Sequence, residues 1–451
     1  MMTKHSAIPK NYNGTSLIEV IVSIVILGII SLAFFGIFNA VLKFSLTKRI
    51  QIEASILATK QMEIVRNMPY NVIGVVSGIP QGTIPQTQTI TRAHIPFTLT
   101  ADVRYVDDPY DDVSPIDLLP TDYKQVKFTI SWNTRLGSDS LFFLTLVAPK
   151  GVENTSGGGI LKITVFDANG IPIPQALVDV VNPSETINLI NVLSDNNGVV
   201  LYPGAPESVN GYQVTVDKTG FSASRTYGVN DPAGNAVPNP AHLSVFVEST
   251  TDKSFSIDRL SALTIITNAS STEVSQPIGL PFSIQGSKTI GQTTQNPPQP
   301  IYKYTNALST DGVSGQFTIN GLEWDTYTIT FNEQAIGHNI VSYNPPQHPI
   351  ILSPNSPASI IFTFQAPYSQ YSLLLTLTDE NGTPLAAADA HLTGESGQYD
   401  RIVATEQTGQ VFFGNLAGQT YTLVITYPAY NPINTNVTIN GNEEQKLQIF
   451  P

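Results

Sequence analysis

Val20 to Phe38 reads VIVSIVILGIISLAFFGIF: nineteen uncharged residues in which Ser23 and Ser31 are the only polar side chains. A run of that length and composition is long enough to cross a membrane as a helix. Glu19 stands on its threshold. A carboxylate at the edge of hydrocarbon costs roughly 2.5–3.5 kcal/mol on insertion scales unless it finds a partner, so a neutralising group is expected for it.

The segment before the run, MMTKHSAIPKNYNG, holds Lys4 and Lys10 and no acidic residue, which keeps it on the cytoplasmic side. A secretory signal would show a small-residue cleavage site after its apolar stretch. Here the chain continues FNAVLKFSLTKRIQ, and the small residue, Gly14, precedes the run. No proline occurs between Pro9 and Pro69, so one helix is predicted from about Thr15 to Met68. Its first half is apolar all round. Its second half is amphipathic, with Leu46, Ile50, Leu57, Ile64, Val65 and Met68 at near-helical spacing.

Gly14, then TSLIE, then some twenty apolar residues resembles the processing site of type IV prepilins and type II secretion pseudopilins. The resemblance implies that a membrane-embedded prepilin peptidase cuts between Gly14 and Thr15 and that the new amino group of Thr15 is methylated. Thr15 departs from the Phe or Met usual in the family. Glu19, fifth after the cut, matches the family's characteristic glutamate, implied in filament assembly. Paired with the α-amino group of a neighbouring subunit's Thr15, each group would neutralise another that is costly in an apolar environment, fixing subunit register. Gly36 lies near where related pilins often carry a helix-breaking proline, and is a candidate point of helix flexibility. The implied partners are the peptidase, the cytoplasmic (inner) membrane, and other pilin subunits packed helix to helix.

Seven of the 22 basic and three of the 35 acidic residues lie in residues 1–70, so the remainder carries 15 against 32, a net of −17. That balance argues against nucleic-acid binding through a general basic surface. The 451 residues imply several domains. The absence of cysteine excludes disulfides, thiol catalysis and Cys-ligated metal sites. Charged residues make up only 13%, while Gly and Pro number 32 each, a composition suited to short strands joined by turns.

After Pro69, strands are predicted over 97–106, 123–132 and 140–149, giving a small pilin-like β head over 69–153 behind the helix. Between the first two strands lies a loop dense in aspartates: Asp107, Asp108, Asp111, Asp112, Asp117 and Asp122. Hard oxygen ligands of that kind suit Ca²⁺, but the spacing matches no calcium loop and three prolines favour a solvated one.

NTSGGG (154–159) reads as a linker, and beyond it the sequence repeats. Asp167, Asn169, Gly170, Pro172 and Ala176 align without gaps with Asp379, Asn381, Gly382, Pro384 and Ala388. Asn-Gly between apolar runs is a hairpin signal. Later in each unit come GYQVTVDKTGF (211–221), GQFTINGLEWDTYTITF (315–331) and GQVFFGNLAGQTYTLVI (409–425), whose tyrosine-bearing strands should face a core. Repeated blocks of this length predict tandem β-sandwiches at 160–258, 261–366 and 370–451. The pattern resembles the carboxypeptidase regulatory-like domain, which implies a transthyretin-like seven-stranded sandwich and no peptidase chemistry. The middle unit departs from it, lacking the opening turn and carrying QNPPQPIY; an immunoglobulin-like sandwich is the other fold compatible with the pattern.

No catalytic or cofactor-binding motif occurs. The histidines (His5, His94, His242, His338, His348, His391) are scattered, and the pairs Glu443-Glu444 and Asp111-Asp112 are placed in polar turns. Neither an enzyme, a metal site nor a cofactor is expected. Trp324 with Tyr302, Tyr304, Tyr427 and Tyr430 offers a sugar-stacking surface, although strand packing explains these rings as well.

The expected fold class is therefore α+β, predominantly β: a long membrane-spanning helix (about 17–42 in the bilayer), a pilin-like head and three tandem sandwiches. The expected function is that of a minor pilin, inserted in the cytoplasmic membrane and then carried to the surface in a filament, its sandwiches contacting a surface, cell or carbohydrate. A secretion pseudopilin contacting cargo, or an anchored surface protein that never assembles, are the alternatives.

Overall fold

The computed structural model describes residues 17–106, 122–134, 137–149, 158–247, 249–271, 275–368, 370–395 and 397–451. One long apolar helix is followed by strands in several sheets, and the protein is predominantly β. The chain divides into two compact units, Met1–Asn154 and Thr155–Pro451.

In the first unit a single helix spans Leu17–Arg66, about 75 Å at 1.5 Å per residue. Residues 17 to 46 are exposed apart from half-buried Ser31. From Ile50 the helix lies on a four-stranded antiparallel meander of Thr87–Arg92, Ile95–Val106, Tyr123–Thr134 and Gly137–Val147, in that order. The central strands alternate, turning Phe97, Leu99, Ala101 and Val103, and Val126, Phe128, Ile130 and Trp132, against the helix. The helix answers with Ile50, Ala54, Leu57, Ala58, Met62 and Val65. Burying each large side chain stabilises by about 1.5–3 kcal/mol, and the two alanines let the sheet come close. This stripe differs from the sequence reading at two positions: Leu46 and Ile64 are 49% and 40% exposed, because the 3.6-residue period carries them off the buried face.

The second unit contains three pairs of sheets. In the first, Thr250–Ser256, Gly159–Phe166 and Val199–Ala205 form one sheet. Ser224–Arg225, Ser208–Asp217, Leu177–Asn182 and Ile187–Leu193 form the other, with Leu243–Val245 also pairing onto Ser208–Asp217. In the second pair the orders are Gln316–Leu322, Ser261–Ala269, Ala358–Gln365, Asn339–Asn344 and Thr305–Ser309, Pro281–Gly286, Asp325–Thr330, Ile350–Leu352. In the third they are Gln410–Leu416, Tyr371–Thr378, Glu443–Gln448 and Asp400–Ala404, Asp389–Gly394, Thr420–Thr426, Ile433–Thr438. In the second and third pairs one apolar core is drawn from both sheets.

Three repeated devices hold these pairs. Tyr212, Tyr327 and Tyr421 are fully buried; their hydroxyls donate to the carbonyls of Pro206 (2.7 Å), Glu323 (2.9 Å) and Ala417 (3.3 Å), a corner in which a core ring ties down the chain just upstream. Buried hydroxyls of Ser194, Thr310 and Thr405 accept from the N–H of Ala176, Leu280 and Ala388. Gly198, Gly315 and Gly409 have φ of +72°, +67° and +69°, and a Cβ on them would lie 2.3 Å from Val165 O, 2.6 Å from Thr267 Oγ1 and 2.5 Å from Leu377 O, so no side chain fits.

Three readings need correction. The Asn-Gly turns each close a single antiparallel bridge and not a two-stranded hairpin. Asp167 Oδ1 accepts from the N–H of Asn169 and Ile171, and Asp379 Oδ1 from Asn381 and Thr383. One bridge forms, Phe166 to Pro172 or Thr378 to Pro384, flanked by bonds from Ile173 N–H to Val165 O and from Leu385 N–H to Leu377 O. The next donors, Val165 and Leu377 N–H, already bond Gly198 O and Gly409 O, and the chain crosses to the opposite sheet. Glu443 and Glu444 lie in the strand Glu443–Gln448, which pairs in parallel with Leu373–Thr378, so main-chain bonds order a segment that its side chains left looking like a turn. Finally, Gly159 belongs to a strand, where a Cβ would meet Phe246 O at 2.2 Å; residues 154–157 of that glycine-rich segment lie outside the described residues.

The sandwiches are also joined to one another. Val237–Pro238 of the first pairs with Thr289–Gln292, the segment beside the proline-rich insertion of the second, and Pro300–Tyr302 completes that sheet. Between second and third, Tyr343 Oη donates to Glu444, the N–H of Tyr343 to Gln410 Oε1 (2.9 Å), and Tyr368 stacks on Phe412.

Candidate functional site

The start of the long helix is the candidate site. Gly14 and Thr15, the predicted processing residues, lie outside the described residues. Glu19 falls in the first turn, where the helix dipole favours a carboxylate. The two other polar side chains of the apolar run are satisfied locally: Ser23 Oγ donates to Glu19 O (2.6 Å) and Ser31 Oγ to Leu27 O (2.7 Å). Glu19 is then the single ionisable residue between Leu17 and Leu42, and among the described residues its carboxylate forms no ion pair. The helix is long and apolar enough to cross a membrane. It runs unbroken through Gly36, where a Cβ would meet nothing within 4 Å.

The remaining candidates are spent on structure. His348 Nε2 accepts from the N–H of Ile329 (3.0 Å), and burial pushes its imidazolium pKa down, Glu444 opposing and Lys446 adding to the effect. His338 Nδ1 bonds Ile336 O, and His391 meets Asp400 at 2.6 Å. Among the described residues no group of three or more His, Asp or Glu is arranged to hold a metal ion; Asp107–Asp117 of the aspartate loop lie outside them. Lys288 Nζ sits 3.4 Å from the centre of the Trp324 ring, Tyr304 packs edge-on against Tyr327, and Tyr427 and Tyr430 pack on each other and on the third core. A cavity of about 620 Å³ between the second and third sandwiches includes Glu333, Tyr343, His348, Asn442 and Glu444 in its wall. These groups already bond one another: Asn442 and Asn339 donate to Glu333, and Tyr343 to Glu444.

Residues 9–35 match the family model described as the prokaryotic N-terminal methylation motif. The match takes in Gly14, Thr15, Glu19 and most of the apolar run, and none of the β structure. No curated protein matches the chain. Among solved structures, the Bacillus anthracis TIE protein is 15% identical, with 82% of this chain and 73% of that one covered, at a TM-score of 0.18. BcpA, the major pilin subunit of Bacillus cereus, is 9% identical over 65% of this chain and 99% of its own, TM-score 0.16. The shaft pilin SpaA from Lactobacillus rhamnosus GG is 11% identical over 43% and 98%, TM-score 0.16. At such scores the likeness carries no argument.

The buried hydroxyls at Ser194, Thr310 and Thr405 escaped the sequence reading. The signal available for them was a Ser or Thr immediately before the aspartate or glutamate of each second turn.

Proposed function

We propose that the chain is a pilin-like subunit, cut between Gly14 and Thr15 by a prepilin peptidase, methylated on Thr15, and drawn from the cytoplasmic membrane into a surface filament by its helix. The observation that carries this reading is the methylation motif over residues 9–35 joined to a helix whose apolar half is exposed and carries Glu19 as its lone carboxylate. In a filament each Glu19 meets the methylated amino group of a neighbour's Thr15, and the exposed apolar surface is buried against other helices. The length of the second unit, residues 155–451, favours a minor subunit, since a body of that size on every subunit crowds a filament. Its sandwiches serve adhesion or contact with a surface, cell or carbohydrate.

The test is the mass of the N-terminal peptide of the protein purified from its own cells. A peptide beginning at methylated Thr15 is expected. An intact Met1, or a cut beyond Phe38, overturns the reading.

A further inference from the structure

In each of the three sandwiches the first and last strands are neighbours, and they are parallel. Gly159–Phe166 pairs with Thr250–Ser256 from Ile160↔Thr250 to Phe166↔Ser256. Ser261–Ala269 pairs with Ala358–Gln365 from Leu263↔Ala358 to Ala269↔Phe364. Tyr371–Thr378 pairs with Glu443–Gln448 from Leu373↔Glu443 to Thr378↔Gln448. None of the three ladders contains a register shift, whereas the antiparallel partner on the other side of each first strand has one. The same arrangement thus occurs three times in series. Only residues 257–260 and 366–370 separate one last strand from the next first strand.

This topology decides how a sandwich responds to tension. A pull along the chain enters at the N-terminal end of the first strand and leaves at the C-terminal end of the last. Because the strands are parallel neighbours, these two points lie at opposite ends of their shared ladder. The strands can separate only by sliding along one another, so the rungs are strained together. Antiparallel first and last strands would place both points at one end, and the rungs would open singly. Sliding also drags side chains through a packed core. Ile163, Val165 and Phe255 are buried in the first sandwich, Ile265, Ile360 and Phe362 in the second, and Leu373, Leu375 and Leu377 in the third. In the first, Lys162 and Asp252 stand opposite each other in the ladder and form an ion pair of 3.2 Å across it.

We propose that residues 158–451 are a tension-bearing tether, in which force between the proximal end and whatever the distal sandwich grips is carried in shear through three parallel ladders. That a force is applied rests on the filament reading above; the shear response does not. Wherever the third sandwich is held, the first two lie wholly in the path of the load.

The absence of native cysteine allows pulling handles to be placed at will. The full chain in detergent micelles carries either Gln370→Cys with Pro451→Cys, which loads the third ladder along its length, or Gln370→Cys with Asn440→Cys, which opens it from one end. All three sites are exposed, and matching melting curves establish that both variants are folded. At equal pulling speed the first pair is expected to need about twofold or more the unfolding force of the second, since forced unfolding reports the barrier along the pulled direction. Equal forces, or a weaker first pair, overturn the proposal. With Ala148→Cys and Pro451→Cys, three separate unfolding events at the higher force are expected; sandwiches yielding at the lower force overturn it. The N-terminal peptide mass decides the filament reading independently of either result.

Discussion

Thr405→Val tests the repeated buried hydroxyl with little change in side-chain shape. Thr405 is 5% exposed; its Oγ1 accepts from the N–H of Ala388 at 3.0 Å and donates to Leu385 O. Valine fills nearly the same volume but leaves both backbone groups without this partner, in a neighbourhood where Ala388 is 0% and Leu385 7% exposed. An unmet buried donor or acceptor costs about 1–3 kcal/mol, so the substitution is expected to destabilise the third sandwich by about 2–4 kcal/mol. The assay is urea unfolding followed by near-ultraviolet signal, comparing midpoints at constant slope. Thr405→Ser is the control: Ser194 makes the equivalent pair of bonds in the first sandwich, at 2.9 and 2.7 Å, so serine is expected to recover most of the loss. A valine variant within about 0.5 kcal/mol of the parent, or a serine variant no better than valine, refutes the reasoning.

Gly409→Ala places a methyl 2.5 Å from Leu377 O on a residue of φ +69°; left-handed backbone alone costs alanine about 1–2 kcal/mol, so a loss of at least that size is expected in the same urea assay. His348 and His242 both have pKa values pushed down by burial. The unfolded chain therefore takes up protons first as pH falls through about 6.5, and the stability present above that value is lost below it. The melting temperature is expected to fall between pH 7.5 and 5, and His348→Gln to flatten that fall. Glu19→Gln is expected to leave membrane insertion and cleavage intact while lowering the subunit's recovery in sheared surface filaments by about tenfold, the equivalent of about 1.4 kcal/mol; unchanged recovery counts against its assembly role.

The long helix was legible because its signals are local: an apolar run, an amphipathic continuation and no proline before Pro69. The repeats were legible because a glycine forced to positive φ and a corner tyrosine recur at the same spacing in the second and third units, Gly315 to Tyr327 and Gly409 to Tyr421. Strand partners were not. Asn169-Gly170 has the composition of a hairpin, yet after a single bridge Val165 N–H goes to Gly198 O and the chain crosses between sheets, a choice of partner that the turn residues do not reveal. The strand Glu443–Gln448 is polar, at a sheet edge, and ordered by main-chain bonds to Leu373–Thr378, which leave no mark in side-chain pattern. The same holds for Thr87–Arg92, an edge strand whose TQTITR lacks a buried row. At the candidate site the one unmatched carboxylate, Glu19, could be read directly, since a lone charge in an apolar run needs no tertiary context to be noticed.

The pairing of Val237–Pro238 with Gly291–Gln292 makes the first two sandwiches depend on one another for backbone partners. Main-chain bonds also join Ala236 N–H to Gln292 O and Asn239 N–H to Ile290 O, at 2.9 and 3.0 Å. A chain cut between the first two sandwiches would part Val237–Pro238 from the other two strands of its sheet, so these two sandwiches complete one another. The second and third meet through side chains such as Tyr343, Gln410 and Glu444, which a few point substitutions can re-fit. The third sandwich is accordingly the one whose exchange would leave the shared sheet of the first two intact.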